Sequence, residues 1–191
     1  MQDGEGRSAR AKIGGLPMTY REQITAAMTA LATDNRTRFI GYGLATGRAG
    51  GTLRDVPAEQ IIETPVAENL MAGIAIGQSL AGNLPVLYFE RFDFVLNAAD
   101  ALVNHLSAAS EISRGQFSPA VIIRAVVGNR LKPLFTGKTH TQDLSHAFWK
   151  MLNFPLVRLN HDTNIVSVFD AARTAQLRGI STMTVEFKDM L

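Results

Sequence analysis

The 191-residue sequence predicts an α/β fold, a doubly wound and mainly parallel sheet with helices on both faces. Three observations predict it. Segments with the apolar spacing of a helix alternate with short β-branched runs along the whole chain. Those runs lack strict polar alternation, as strands covered on both faces do. A composition of 46% hydrophobic and 19% charged residues is ordinary for a globular chain, and the length suffices for one well-buried domain.

Taken in order, residues 1–17 read as a polar, flexible leader containing Gly and Arg, and residues 18–191 as the single domain. Thr19-Tyr20-Arg21-Glu22 is a capping box, and it opens a helix whose Ile24, Ala27, Met28 and Leu31 share one face. A short strand is expected over 38–42. Residues 43–57, rich in Gly, Thr and Arg and ending at Pro57, suit a loop over or beside a site better than a packed element. An extended run then leads into a helix beginning near Glu68. Beyond it the pattern predicts a strand at 86–89, a helix across 97–111 and a strand at 120–127. The second half repeats the alternation, with helices at 142–152 and 166–176 and strands at 156–159 and 182–187. No internal repeat or low-complexity stretch interrupts it.

Composition narrows the function classes. Without cysteine there is no disulfide framework and no thiolate metal site, and a reducing compartment, the cytoplasm, is the expectation. No apolar run approaches the roughly 20 residues of a membrane span, and the first residues lack a signal-peptide core. A net charge of +2 arises from scattered Lys and Arg, with no basic run to mark a nucleic-acid surface. The four histidines show no metal-ligand spacing. Gly47-Arg48-Ala49-Gly50-Gly51 lacks both the Lys-Ser/Thr ending of a P-loop and the spacing of a dinucleotide fingerprint.

Glu68 is the residue hardest to explain by packing. It stands among Ala, Gly and Ile, where a carboxylate is poorly solvated unless it turns outward, so it is either an exposed helix-start glutamate or a group kept for chemistry. Its surroundings favour chemistry. Glu63-Thr64-Pro65-Val66-Ala67-Glu68, followed by Ala72-Gly73-Ile74-Ala75-Ile76-Gly77, resembles the pyrimidine-binding domain of thiamine-diphosphate-dependent enzymes, closest to the beta subunit of 2-oxoacid dehydrogenase E1 components. Pro85 to Phe94, then Ala98 to Asn104, is similar to the strand and helix that carry that family's aromatic platform, and Thr139-His140-Thr141-Gln142 resembles its Ala-Gln-His-Ser-Gln segment.

The resemblance implies the thiamine-diphosphate-binding fold, thiamine diphosphate as cofactor and a 2-oxo acid as small-molecule substrate, with decarboxylation and acyl or aldehyde transfer. It assigns Glu68 to proton exchange with N1′ of the aminopyrimidine, in an apolar setting made by Leu70, Met71 and Ile74. Phe92, with Phe89 second, is implied to contact the pyrimidine, although such a cluster alone is more often core. His140 is implied to move protons at the substrate, the alternative being a surface histidine. Where related beta subunits carry acidic residues after the first strand's glycine, this chain has Gly41-Tyr42-Gly43-Leu44. No Gly-Asp-Gly followed at a distance by Asn is present to bind Mg²⁺ and the diphosphate. The expectation is therefore a split enzyme, a heterotetramer in which a diphosphate-binding, alpha-like subunit holds Mg²⁺. Alternatives are a split transketolase-type subunit, a carboligase, and a non-catalytic scaffold or regulatory relative.

Overall fold

The computed structural model describes residues 12–13, 16–135 and 137–191, so residues 1–11 and 14–15 of the leader expected over 1–17 lie outside the described residues. Two short strands, β1 (Lys12–Ile13) and β2 (Leu16–Pro17), pair antiparallel ahead of the domain. Helix α1 (Tyr20–Ala32) begins at the expected capping box. The backbone N–H of Thr19 donates to Glu22 Oε2 at 2.8 Å, and that of Glu22 donates to Thr19 Oγ1 at 3.3 Å. Ile24, Ala27, Met28 and Leu31 are all buried, as their spacing requires.

Strand β3 (Thr37–Gly41) follows. Residues 43–57 depart from the loop expected there. They contain one helical turn, α2 (Leu44–Gly47), and they bury Leu44, Ala49, Leu53 and Val56 in the apolar cluster that also holds α1 residues. Apolar residues placed between glycines give this segment a core of its own to join, which the Gly and Arg content concealed.

The run before Glu68 forms β4 (Ile61–Glu63), and α3 (Glu68–Leu80) starts at Glu68 itself. Strand β5 (Leu84–Phe89) is fully buried. In place of the single helix expected over 97–111 stand a 3₁₀ segment (Phe92–Ala98), a π-helical segment (Ala101–Leu106) and one turn of α4 (Ala109–Ile112). The π geometry is visible in the Ser107 N–H donating to the Leu102 carbonyl at 3.0 Å. Hydrophobic spacing alone cannot separate these windings from an α-helix.

The remaining elements match their expected places to within three residues at each end, the helix expected from 142 beginning at Ser145. They are β6 (Ile122–Val127), α5 (Ser145–Met151), β7 (Leu156–Arg158), α6 (Ile165–Gln176) and β8 (Thr182–Phe187). Asn164 caps α6 by accepting from the Ser167 N–H at 3.2 Å.

Six strands form one sheet in the order β4-β3-β5-β6-β8-β7, every neighbouring pair parallel. One apolar cluster joins α3, the 3₁₀ and π segments and α5 to one face, and a second joins α1, α6 and the 44–56 segment to the other. The chain leaves β3 toward β4 on one side and returns to β5 on the other. The strand order thus reverses between β3 and β5, and in open parallel sheets the crevice outside the carboxyl ends at such a point is where ligands bind.

Candidate functional site

Polar residues collect at that crevice because each parallel strand ends on the same edge. Tyr42 follows β3, Glu90 and Arg91 follow β5, Asn129 lies just beyond β6, Lys188 follows β8, and Glu68 opens the helix after β4. Gly41 permits the close approach of β3 and β5, since a Cβ there would lie 2.8 Å from the Tyr88 carbonyl oxygen. Glu63 then fixes the turn that follows: its Oε1 accepts from the Gly43 N–H at 2.5 Å and its Oε2 from the Ala45 N–H at 2.6 Å. Tyr42 is held between these anchors.

Glu68 is only 6% exposed, so it is not the exposed helix-start glutamate. Asn97 Nδ2 donates to Glu68 Oε2 at 3.3 Å, while Oε1 accepts no hydrogen bond among the described residues. Of the three neighbours expected to dry it, Met71 is buried and Ile74 half-buried, but Leu70 is 50% exposed and contributes little. Burial first, then the carboxylates of Glu90 and Glu68, push the Tyr42 hydroxyl up to about 12. Tyr42 therefore stays a neutral phenol within the electrostatic reach of both acids.

Phe92 and Phe89 are fully buried. The Phe92 ring meets Phe148 at a centroid distance of 5.5 Å and a tilt of 39°, in the core cluster that also holds Phe89 and Met71. Neither ring presents an open face on this chain. Phe92→Ala is accordingly expected to cost about 3–5 kcal/mol of stability, read as a lowered urea midpoint. Phe92→Leu, which refills most of the volume, should stay folded and is the variant in which the contact the resemblance implies can be tested. Phe94 reaches further toward the site: it is half-buried and stands edge-on to His140, centroids 5.1 Å apart.

His140 ends a 3₁₀ turn (Gly137–His140), and its Nδ1 lies 3.0 Å from Thr139 Oγ1. It lines a cleft of about 310 Å³ together with Arg21, Arg91, Lys132 and Lys188. Glu90 tempers this positive lining, pairing with Arg91 Nη1 at 3.0 Å and with Lys188 Nζ at 3.5 Å. Among the described residues no hydrogen bond or ion pair joins Glu68 to His140.

Sequence reading overlooked Asn97, Tyr42 as a site residue and the cationic cleft. The motif context offered a partial signal for Asn97, five positions beyond Phe92 on a helical stretch. The cleft gave none, since its cations are scattered from residue 21 to residue 188 and only the fold gathers them.

Three kinds of comparison bear on this arrangement. The model of the family described as transketolase, pyrimidine binding domain, matches residues 17–128. The pyruvate dehydrogenase E1 component subunit beta of Rhizobium meliloti (strain 1021) is 27% identical over 117 residues, 58% of this chain and 25% of that protein. The mitochondrial subunit of the same description from Dictyostelium discoideum is 28% identical over 131 residues, 65% of this chain and 36% of that protein. A solved structure titled "Split gene transketolase, inactive beta4 tetramer" superposes with a TM-score of 0.64 at 16% identity, covering 88% of this chain and 51% of that one, a likeness of fold. The chain thus spans about a quarter to a third of these curated relatives and half of the solved chain. No helix among the described residues is long and apolar enough to cross a membrane. With the family's pattern running through β3 to β6 and the buried glutamate at the strand edge, this chain belongs to the transketolase pyrimidine-binding domain family.

Proposed function

We propose that the chain is the pyrimidine-binding, beta-like subunit of a split, heteromeric thiamine-diphosphate-dependent enzyme that acts on a 2-oxo acid, by decarboxylation with acyl or aldehyde transfer. Dehydrogenase E1-like and carboligase outcomes share this chemistry and differ in the acceptor. The observation that carries the reading is Glu68: a buried carboxylate at the strand-order reversal, with one oxygen held by Asn97 and the other without a protein partner. That donor set fits a protonated ring nitrogen, which an unpartnered carboxylate oxygen accepts well.

When bound, thiamine diphosphate supplies the thiazolium carbon at which a 2-oxo acid is decarboxylated. Glu68 Oε1 holds or takes the proton at N1′, while Asn97 keeps the carboxylate from rotating. Phe92 and Phe89 bear on the cofactor as the packed support under the site rather than as an exposed platform. His140, at the mouth of the cleft, moves a proton at the substrate. Exposed apolar side chains in the connections after the strands, Val66, Leu96, Leu131 and Phe135, offer surface for the diphosphate-binding subunit to cover. Mg²⁺ and the diphosphate are assigned to that alpha-like partner, the assembly to a heterotetramer, and the location to the cytoplasm, in keeping with a cysteine-free sequence.

A second reading, a split transketolase-type two-carbon transferase, draws support from the cleft. Arg21, Arg91, Lys132 and Lys188 gather at one cleft, tempered by Glu90 and by the Leu191 oxygen that accepts from Arg21 at 3.3 Å, a lining suited to a strongly anionic substrate. One experiment separates the readings. The purified chain alone should bind thiamine diphosphate weakly by calorimetry and turn over nothing. Co-produced with its diphosphate-binding partner, it should release CO₂ from pyruvate or another 2-oxo acid. Transfer from a phosphorylated ketose without CO₂ release would favour the second reading, and full activity of the isolated chain would sink the heteromeric account.

A further inference from the structure

His140 ends a single 3₁₀ turn between β6 and α5, across which Thr141 Oγ1 donates to the Gly137 carbonyl at 3.3 Å. Two contacts tie this turn to the residues that follow neighbouring strands. In the 3₁₀ segment after β5, Asp93 Oδ1 accepts from the Gln142 backbone N–H at 3.2 Å and from the Gln142 side-chain amide at 3.0 Å. Just beyond β6, Gly128 lies directly beneath the His140 backbone. A Cβ on Gly128 would stand 1.8 Å from the His140 carbonyl oxygen and 3.0 Å from its carbonyl carbon. Gly128 is not among the residues with positive φ, so it is the contact with His140, and not the backbone conformation, that demands glycine.

Packing alone does not account for Asp93. It is 7% exposed, and its Oδ2 is buried without a hydrogen-bond partner among the described residues. A buried carboxylate with an unused oxygen is destabilising in itself, and an apolar or amide side chain would serve the core better. What the carboxylate does hold is Gln142, two residues after His140.

We infer that Asp93 and Gly128 are positioning residues that together clamp the His140 segment to the ends of β5 and β6 and so set the place of the imidazole at the cleft. The inference rests on the reading of His140 as a proton-moving group where it concerns turnover, and on geometry alone where it concerns the clamp. Asp93→Ala removes the acceptor for Gln142, and Gly128→Ala forces the His140 carbonyl outward. Asp93→Asn keeps an acceptor oxygen at the same place and should rescue.

The test has two arms. In the first, the ring carbon–proton resonances of the four histidines are recorded for the full chain, with His140 assigned from His140→Ala. Asp93→Ala and Gly128→Ala should each shift the His140 signal as its edge contact with Phe94 is lost, and Asp93→Asn should leave it in place. In the second, the chain assembled with its partner is assayed with pyruvate as the 2-oxo acid probe. Asp93→Ala and Gly128→Ala should lower kcat by up to about 10²-fold with little change in KM, and Asp93→Ala combined with His140→Ala should be no slower than His140→Ala alone. An unmoved His140 resonance in both Asp93→Ala and Gly128→Ala overturns the clamp, as does a double variant whose losses multiply. Wild-type turnover by His140→Ala would instead contradict the catalytic reading of His140, and the resonance arm would still decide the clamp.

Discussion

Arg124→Leu is expected to destabilise the domain by about 3–5 kcal/mol, the cost of leaving one partner of a buried ion pair alone. Arg124 on β6 and Glu186 on β8 are each 1% exposed at the side chain. Their contact is bidentate, Nε to Oε1 at 2.6 Å and Nη2 to Oε2 at 3.0 Å. Nη2 also donates to Thr52 Oγ1 at 3.0 Å, and the guanidinium lies 5.1 Å from the centre of the Tyr88 ring. Burial would lower the guanidinium's pKa, but the charge of Glu186 and its hydrogen bonds together outweigh that and hold the group above its ordinary value, so the guanidinium stays charged. The Tyr20 hydroxyl extends the polar cluster, donating to the Leu159 carbonyl at 3.0 Å and accepting from the Phe187 N–H at 3.1 Å. Removing Arg124 strands Glu186 on the apolar side of the sheet that faces α1. Replacing both by leucine should recover much of the loss, because no charge is then left unpaired. Urea unfolding measures both variants. A cost for Arg124→Leu no larger than that of an exposed pair such as Arg54–Asp55, about 1 kcal/mol or less, would show that this cluster is not the anchor described.

Where the sequence carried local information, it was legible. The capping box of α1, the start of α3 at Glu68 and the buried runs of β5, β6 and β8 each follow from residue type and spacing within a few positions. Segments whose structure is set by distant contacts were not. Residues 44–56 look like a loop until Leu44 and Leu53 are seen buried in the core that α1 also joins, and the windings between Phe92 and Ile112 share one apolar spacing. The site divides in the same way. Glu68 and His140 stand in motifs and could be named, whereas the burial of Phe92 behind Phe148, the Asn97 contact and the gathering of Arg21, Arg91 and Lys188 depend on sheet order.

Glu68→Gln is the second large effect expected, and it isolates the titratable proton from everything else the side chain does. Glutamine matches glutamate in size, and its amide oxygen can still accept from Asn97 Nδ2, so the part-buried contact at the start of α3 survives. The variant should assemble with the partner subunit and bind thiamine diphosphate within about tenfold of the wild type, roughly 1.4 kcal/mol. What an amide cannot do is exchange a proton with N1′. The deciding measurement is the rate of hydrogen–deuterium exchange at C2 of thiamine diphosphate bound to the assembled enzyme, wild type against Glu68→Gln. If Glu68 is the activating carboxylate, exchange slows by about 10²-fold or more, the scale of a lost acid–base group; exchange at the wild-type rate in a fully assembled, cofactor-loaded variant would contradict it.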